Sequence, residues 1–272
     1  MTAGPLIYRQ KLSTRVTHWL WAICLVFLMF SGLQIFNAHP SLHFGKESGF
    51  DYDNAAVSIE AKQVGDDVQG VTTVLGRSFD TTGTLGYSDG EARAFPAALT
   101  MPSGRSLATG RVIHFFFAWI LVGTLAVWAV ASVLNGHAKA LIPSGADLRG
   151  LPNDVANHLR LKFHHGLEYN VLQKLAYAGV LFVALPLMIA TGLTMSPGFN
   201  AVAPWLLDVF GGRQSARSIH FLTMLALIGF FVIHMAMILA AGPINELRSI
   251  ITGWFRTDAD TKIARADDDL SA

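Results

Sequence analysis

Cysteine is nearly absent: Cys24 is the single one in 272 residues. One thiol cannot close a disulfide within the chain, and it cannot build a Cys-rich iron–sulfur or zinc site. No Cys-x-x-Cys-His stretch occurs, which excludes covalent c-type haem attachment. Charge is scarce too. Asp, Glu, Lys and Arg make up 14% of the chain, against about 25% in an ordinary soluble domain. The formal net charge is +1, so no basic excess points to nucleic acid. What the chain has instead is apolar residues, 52% of the total with a mean hydropathy of +0.42, which argues against disorder, a collagen-like fibre and a coiled coil. It also has ten histidines, several inside the apolar runs.

A bilayer core about 30 Å thick needs about 20 mainly apolar residues in a helix. Four stretches qualify: about Val16 to Phe36, Val112 to Leu134, Val171 to Met195 and Ile219 to Ala241. Lys174 is the one charged residue inside these limits. Pro186, in the third run, is tolerable as a kink where neighbours re-satisfy the backbone. The first run follows a basic leader (Arg9, Lys11, Arg15) like a signal peptide, but it is long and no Ala-x-Ala site closes it, so it reads as an uncleaved span. The expected fold is therefore all-α, an integral membrane four-helix bundle.

Orientation follows the placement of Lys and Arg. The N-terminal segment, the loop carrying Lys139, Arg149, Arg160 and Lys162, and the tail carrying Arg248, Arg256, Lys262 and Arg265 are basic. The loop 37–106 has five basic residues against nine acidic ones. Both termini are expected in the cytoplasm and the long loop in the periplasm, although Arg213 and Arg217 before span four run against the bias. Within that loop, Val68 to Leu75 and Thr84 to Tyr87 alternate like strands, with turn signals at Gly76, Gly83 and Gly86. A small hairpin or cap serving as a docking surface is expected there. Residues 1–256 read as one membrane domain and 257–272 as a disordered tail.

His18, His114, His220 and His234 lie within or at the edges of the spans. One such residue is as readily a helix–helix hydrogen bond as a site; four together mark function, because ionisable groups at this depth are costly. His220 and His234 are fourteen residues apart, which on a helix means about 21 Å of rise and about 40° of rotation. Span four thus carries two histidines on one face at opposite depths. The topology pairs His114 with His220 near the outer side and His18 with His234 near the cytoplasm. Two facing imidazoles at one level are what a six-coordinate haem requires. Zinc wants three or four ligands at a single depth, and a proton relay would lack acidic residues within the spans.

Arg-x-x-His occurs three times, at Arg15–His18, Arg111–His114 and Arg217–His220. Residues at i and i+3 share a helix face, so each Arg can meet a haem propionate while its His holds iron; the plainer alternative is snorkelling at a helix end. Asn170 and Gln173 stand at the entrance of span three, level with the inner pair. Their amides can hydrogen-bond a quinone carbonyl, or simply cap the helix. His39 and His43 are four apart around Pro40, a weak metal motif, while His137, His158, His164 and His165 read as loop residues.

With these residues in view, the chain resembles the bacterial four-helix di-haem cytochrome b group, which includes the membrane subunits of formate dehydrogenase and nickel–iron hydrogenase. It is most similar to the thiosulfate reductase cytochrome b subunit type. The resemblance rests on Arg15-Val-Thr-His-Trp19, Phe30-Ser-Gly-Leu33, Asn37-Ala-His-Pro40, Phe95-Pro96, His114-Phe-Phe-Phe-Ala-Trp119, Tyr169-Asn-Val-Leu-Gln-Lys-Leu-Ala-Tyr177, Pro186-Leu-Met-Ile-Ala-Thr-Gly-Leu193 and Ile219-His-Phe221. It covers nearly the whole chain apart from the tail and the middle of the long loop. It implies two non-covalent haem b groups on His18, His114, His220 and His234, and a quinone site at Asn170 and Gln173. The implied partner is a periplasmic molybdenum (molybdopterin) oxidoreductase, of the sulfite-oxidase-like class for this type and sometimes joined through an iron–sulfur subunit. The expected function is electron transfer between that partner and the quinone pool of the bacterial inner membrane. Two alternatives stay open: a stand-alone di-haem quinone oxidoreductase acting on a small redox molecule such as superoxide, and a haem-free transporter or scaffold.

Overall fold

A computed structural model describes residues 4–49, 52, 54–160 and 170–257. Six principal helices follow in chain order: α1 (Leu12–Phe36), α2 (Leu107–Leu134), α3 (Gly145–Leu159), α4 (Val171–Thr194), α5 (Arg213–Ala241) and α6 (Pro243–Thr252). Of these, α1, α2, α4 and α5 are long and apolar enough to cross a membrane. Three of them start earlier than the charge-free limits suggested, at Leu12, Leu107 and Arg213 rather than Val16, Val112 and Ile219. Their first turns carry Arg, Ser and Thr, residues that extend a helix into the headgroup zone but lower its hydropathy. Val112, Trp119, Val127, Val183, Ile233 and Leu239 are exposed along these helices, as side chains facing lipid are.

Span three departs from a uniform α-helix. Residues Gly179–Ala184 form a π-helical turn between Val171–Ala178 and Leu185–Thr194. Pro186 follows at once. It has no N–H to donate, and its ring crowds the carbonyl of Phe182 four residues earlier. The widened turn relieves both problems, so the irregularity falls before the proline.

The chain divides into two compact units: residues 1–19, 131–180 and 229–272, and residues 20–130 and 181–228. In the first, β1 (Leu6–Tyr8) pairs antiparallel with a strand at Trp254–Arg256, and Thr257 N donates to the Pro5 carbonyl. Residues 258–272, which carry nearly all of the expected disordered tail, lie outside the described residues. Helix α3 opens with a capping box: Ser144 accepts from the Asp147 N–H, and the Asp147 side chain accepts from the Ser144 N–H. Asp147 also meets Lys174 Nζ at 3.0 Å, which accounts for the lone charge in span three. The Ser144 N–H and hydroxyl, with Lys174, hold the Asp147 carboxyl down at about 2.

A carboxyl whose folded pKa lies below its unfolded value of about 3.9 contributes stability above that pH and loses it as pH falls through the folded pKa. Amide-exchange protection at the start of α3 is therefore expected to hold from neutral pH to about pH 4 and to fall toward pH 2. Asp147→Asn should weaken it at neutral pH and flatten the dependence; an unchanged profile would count against the cap.

The second unit contains the long loop, and here the all-α expectation is corrected. The loop folds into β-structure. Strands β2 (Ser41–His43), β3 (Ala55–Val64), β4 (Asp67–Val74) and β5 (Arg77–Asp80) form an antiparallel sheet in that order. Strands β6 (Gly86–Ser88) and β7 (Glu91–Arg93) make a separate hairpin. The alternation at Val68–Leu75 corresponds to β4. Strand β3 was not foreseen, because Glu60, Ala61, Lys62 and Gln63 carry little strand preference. Phe36, Leu42, Ile59 and Ala94 form its buried core, with Phe95 and Phe221 packed against it. Gly70 and Gly86 face each other where β4 meets β6. A Cβ on Gly70 would lie 2.1 Å from the Leu85 carbonyl oxygen, and one on Gly86 2.4 Å from that of Glu60, so both positions require glycine.

Arg93 secures this fold to α1. Its side chain is buried and donates to the Ser103 carbonyl at 2.8 Å, to Gln34 Oε1 at 3.1 Å and to Thr100 Oγ1 at 2.7 Å. Asn37, at the end of α1, exchanges two hydrogen bonds with the Phe95 backbone.

Candidate functional site

In the unit of residues 20–130 and 181–228, His114 on α2 and His220 on α5 come together. Their ring centres are 6.4 Å apart, with the planes inclined by 59°. Each imidazole is held from behind by a different helix. His114 Nδ1 lies 3.1 Å from Ser31 Oγ on α1, and His220 Nδ1 lies 3.0 Å from Thr191 Oγ1 on α4. The two hydroxyls spend their own protons on backbone carbonyls one turn back, Ser31 on Phe27 at 2.6 Å and Thr191 on Leu187 at 2.7 Å. A hydroxyl whose proton is so committed can only accept, so each Nδ1 carries the hydrogen and each Nε2 keeps its lone pair. Glycine follows both hydroxyl residues. A Cβ on Gly32 would sit 3.4 Å from His114 Cε1, and one on Gly192 3.4 Å from His220 Cε1.

In the unit of residues 1–19, 131–180 and 229–272, His18 on α1 and His234 on α5 lie within electrostatic range of each other. Among the described residues His18 Nδ1 is buried with no hydrogen-bond partner, which is costly unless something else engages the ring. Trp19 stands edge-on to His18 at 5.5 Å, and Phe230 stacks on His234 at 5.7 Å.

The three arginines lie near the N-terminal ends of their helices and have other partners. Arg15 donates to the Thr252 carbonyl at 3.0 Å, and Arg217 donates to the His39 carbonyl while lying 5.5 Å over the Phe36 ring. Arg111 lies 5.7 Å over Phe115. Asn170 and Gln173 form a reciprocal capping box at the start of α4: Asn170 Oδ1 accepts from the Gln173 N–H at 2.8 Å, and Gln173 Oε1 accepts from the Asn170 N–H at 3.2 Å. Capping, one of the two roles open from the sequence, is thus what the structure shows for both side-chain oxygens, and the Gln173 side chain is exposed.

Sequence reasoning missed Asp154 and His158. Asp154 Oδ2 accepts from the Leu172 N–H at 3.1 Å, and His158 Nε2 lies 3.4 Å from Asn170 Nδ2, so α3 packs against the entrance of span three. The i, i+4 spacing of the two on α3 was the available signal. His39 and His43 stack at 5.6 Å, and His43 pairs with Asn54 Oδ1 at 2.8 Å. Among the described residues no group of three or more His, Cys, Asp or Glu could hold a metal ion. His164 and His165 lie outside the described residues.

Three of the four apolar helices carry these histidines, and among the described residues no third His, Cys, Asp or Glu joins either pair, an arrangement suited to a membrane cytochrome of the b type. Residues 9–253 match the family described as prokaryotic cytochrome b561, and the chain belongs to that family. It is a membrane haem-binding electron-transfer protein. It is also similar to a protein of Azospira oryzae named as a protein-methionine-sulfoxide reductase subunit, YedZ1, with 23% identity over 227 residues covering 82% of this chain and 86% of the relative.

Membership implies b-type haem, and the residues fit it. Two imidazoles sharing one metal through nitrogen bonds of about 2.0 Å place their ring centres roughly 6 Å apart, close to the 6.4 Å between His114 and His220.

Proposed function

We propose that the chain is the di-haem membrane subunit of a quinone-linked oxidoreductase, with residues 1–256 as its cytochrome domain. His114 and His220 hold one haem b, and His18 and His234 hold a second, all through non-covalent bis-histidine ligation. Bound haem supplies a reversible one-electron iron couple. The protein's part is to present neutral imidazole Nε2 atoms in an apolar setting and to keep their orientation. Arg15, Arg111 and Arg217, one turn from His18, His114 and His220, provide cations for propionates at the polar ends. The observation that carries the reading is the His114–His220 pair, with both Nδ1 atoms occupied and both Nε2 atoms left for metal.

The charge distribution supports cytoplasmic termini, a periplasmic cap formed by residues 37–106 and residence in the bacterial inner membrane. A quinone binds at the start of α4, where the capping box leaves the exposed Gln173 amide able to donate. The partner is a periplasmic molybdopterin oxidoreductase subunit, docked on the cap. The reductase-subunit name of the Azospira oryzae relative supports an obligate subunit over a stand-alone enzyme.

A reduced-minus-oxidised visible spectrum of the purified chain, with haem counted per polypeptide, tests this reading. Two haems with sharp low-spin reduced bands are expected. A count of one would remove one of the two pairs, and a featureless spectrum would favour a transporter or scaffold.

A further inference from the structure

The two helices behind the His114–His220 pair carry the same short pattern, a hydroxyl residue followed by Gly-Leu. Leu28-Met-Phe-Ser-Gly-Leu33 on α1 and Met188-Ile-Ala-Thr-Gly-Leu193 on α4 align residue for residue. Their structural roles also match. In each, a Ser or Thr hydroxyl donates to the carbonyl four residues back and lies about 3 Å from an imidazole Nδ1. In each, the hydroxyl also lies within reach of the carbonyl three residues back, Leu28 at 3.3 Å and Met188 at 3.2 Å. In each, the following glycine lies against the ring's Cε1. A hydroxyl bonded back to its own helix tilts that turn and turns a carbonyl outward. The glycine removes the side chain that would otherwise crowd the ring.

The helix that presents the histidine is in both cases the next spanning helix. Ser31 and His114 are 83 residues apart, while Thr191 and His220 are 29 apart, and the difference is the β cap between α1 and α2. Among the described residues His18 has no such seat, since its Nδ1 is buried without a partner.

We infer that Ser31 and Thr191 are paired positioning residues, two copies of one imidazole seat, and that together they set the tautomer, orientation and electron donation of the two imidazoles that would hold a single haem. The inference rests on the ligand assignment proposed above for His114 and His220. An acceptor on Nδ1–H makes the ring a stronger donor to iron and favours the oxidised metal. Removing it should therefore raise the potential of that haem, and outer-shell losses of this kind weaken metal retention about ten- to hundredfold.

The test uses the full-length chain in membranes, with potentiometric titration resolved into its components, low-spin electron paramagnetic resonance and a haem count. Ser31→Ala and Thr191→Val are expected to move the same single component to higher potential and alter its low-spin signal, leaving the other component in place. Ser31→Thr and Thr191→Ser keep the hydroxyl and should behave as wild type, which separates loss of the acceptor from a merely disturbed helix. An unchanged potential in both hydroxyl-free variants, or shifts in two different components, would overturn the inference. His114→Ala and His220→Ala check the underlying reading separately. If they abolish different components the ligand pairing fails, whatever the hydroxyl variants do.

Discussion

Replacing His220 with alanine is expected to take the chain from two haems to one, with loss of a single spectral component. His114→Ala should remove the same component, while His18→Ala and His234→Ala should each remove the other. The effect is large because the pairs offer no substitute ligand: among the described residues no third His, Cys, Asp or Glu joins either pair. A b-type haem has no covalent tether, and Cys24 is buried in α1. A six-coordinate iron deprived of one imidazole binds weakly or turns high-spin, and either change is visible without measuring turnover. The haem count and visible spectrum of the four variants check this, with cap integrity followed by protease resistance. If His220→Ala and His234→Ala lost the same component, the assignment of pairs would have to be redrawn.

The second large effect is expected at Arg93, in the cap rather than among the four histidines. Its guanidinium makes charge-assisted hydrogen bonds to Gln34, Thr100 and the Ser103 carbonyl, and its pairing with Glu91 Oε2 is looser at 3.4 Å. Arg93→Ala strips the buried Gln34 and Thr100 acceptors of their donor, at a cost of about 2–4 kcal/mol. Arg93→Lys should recover only part of it, since an ammonium cannot reproduce the planar fork. The readout is hydrogen exchange across β6 and β7 together with protease sensitivity of the loop 37–106, both rising sharply in the alanine variant. The bis-histidine spectrum is expected to survive, because Arg93 touches none of the four histidines. A cap as resistant as wild type would show that Phe36, Leu42, Ile59 and Ala94 alone suffice to hold it.

The spans were legible because lipid imposes a severe rule: every backbone group must be satisfied within the helix, so length and apolarity alone mark the segment. The four histidines stand out for a related reason, since an imidazole in a charge-free run is costly without a purpose. Outside the membrane that rule lapses. In β3, Glu60, Lys62 and Gln63 give no sign of a strand, and only pairing with β4 and burial of Ile59 make one. Asn170 and Gln173 show the same limit: three residues apart at a helix start, they fit a cap or a ligand contact equally well, and only the folded chain reveals the reciprocal bonds.

Sequence by itself determined that this chain lies in a membrane, that it carries histidines at two depths, and which family it resembles, because hydropathy and helical spacing are one-dimensional properties. Tertiary structure alone decided that the loop becomes a sheet, that Lys174 answers Asp147, and that Ser31 and Thr191 stand behind the imidazoles. The last two are contacts between residues 27 to 83 positions apart, and no local pattern specifies which distant helix will supply the hydroxyl.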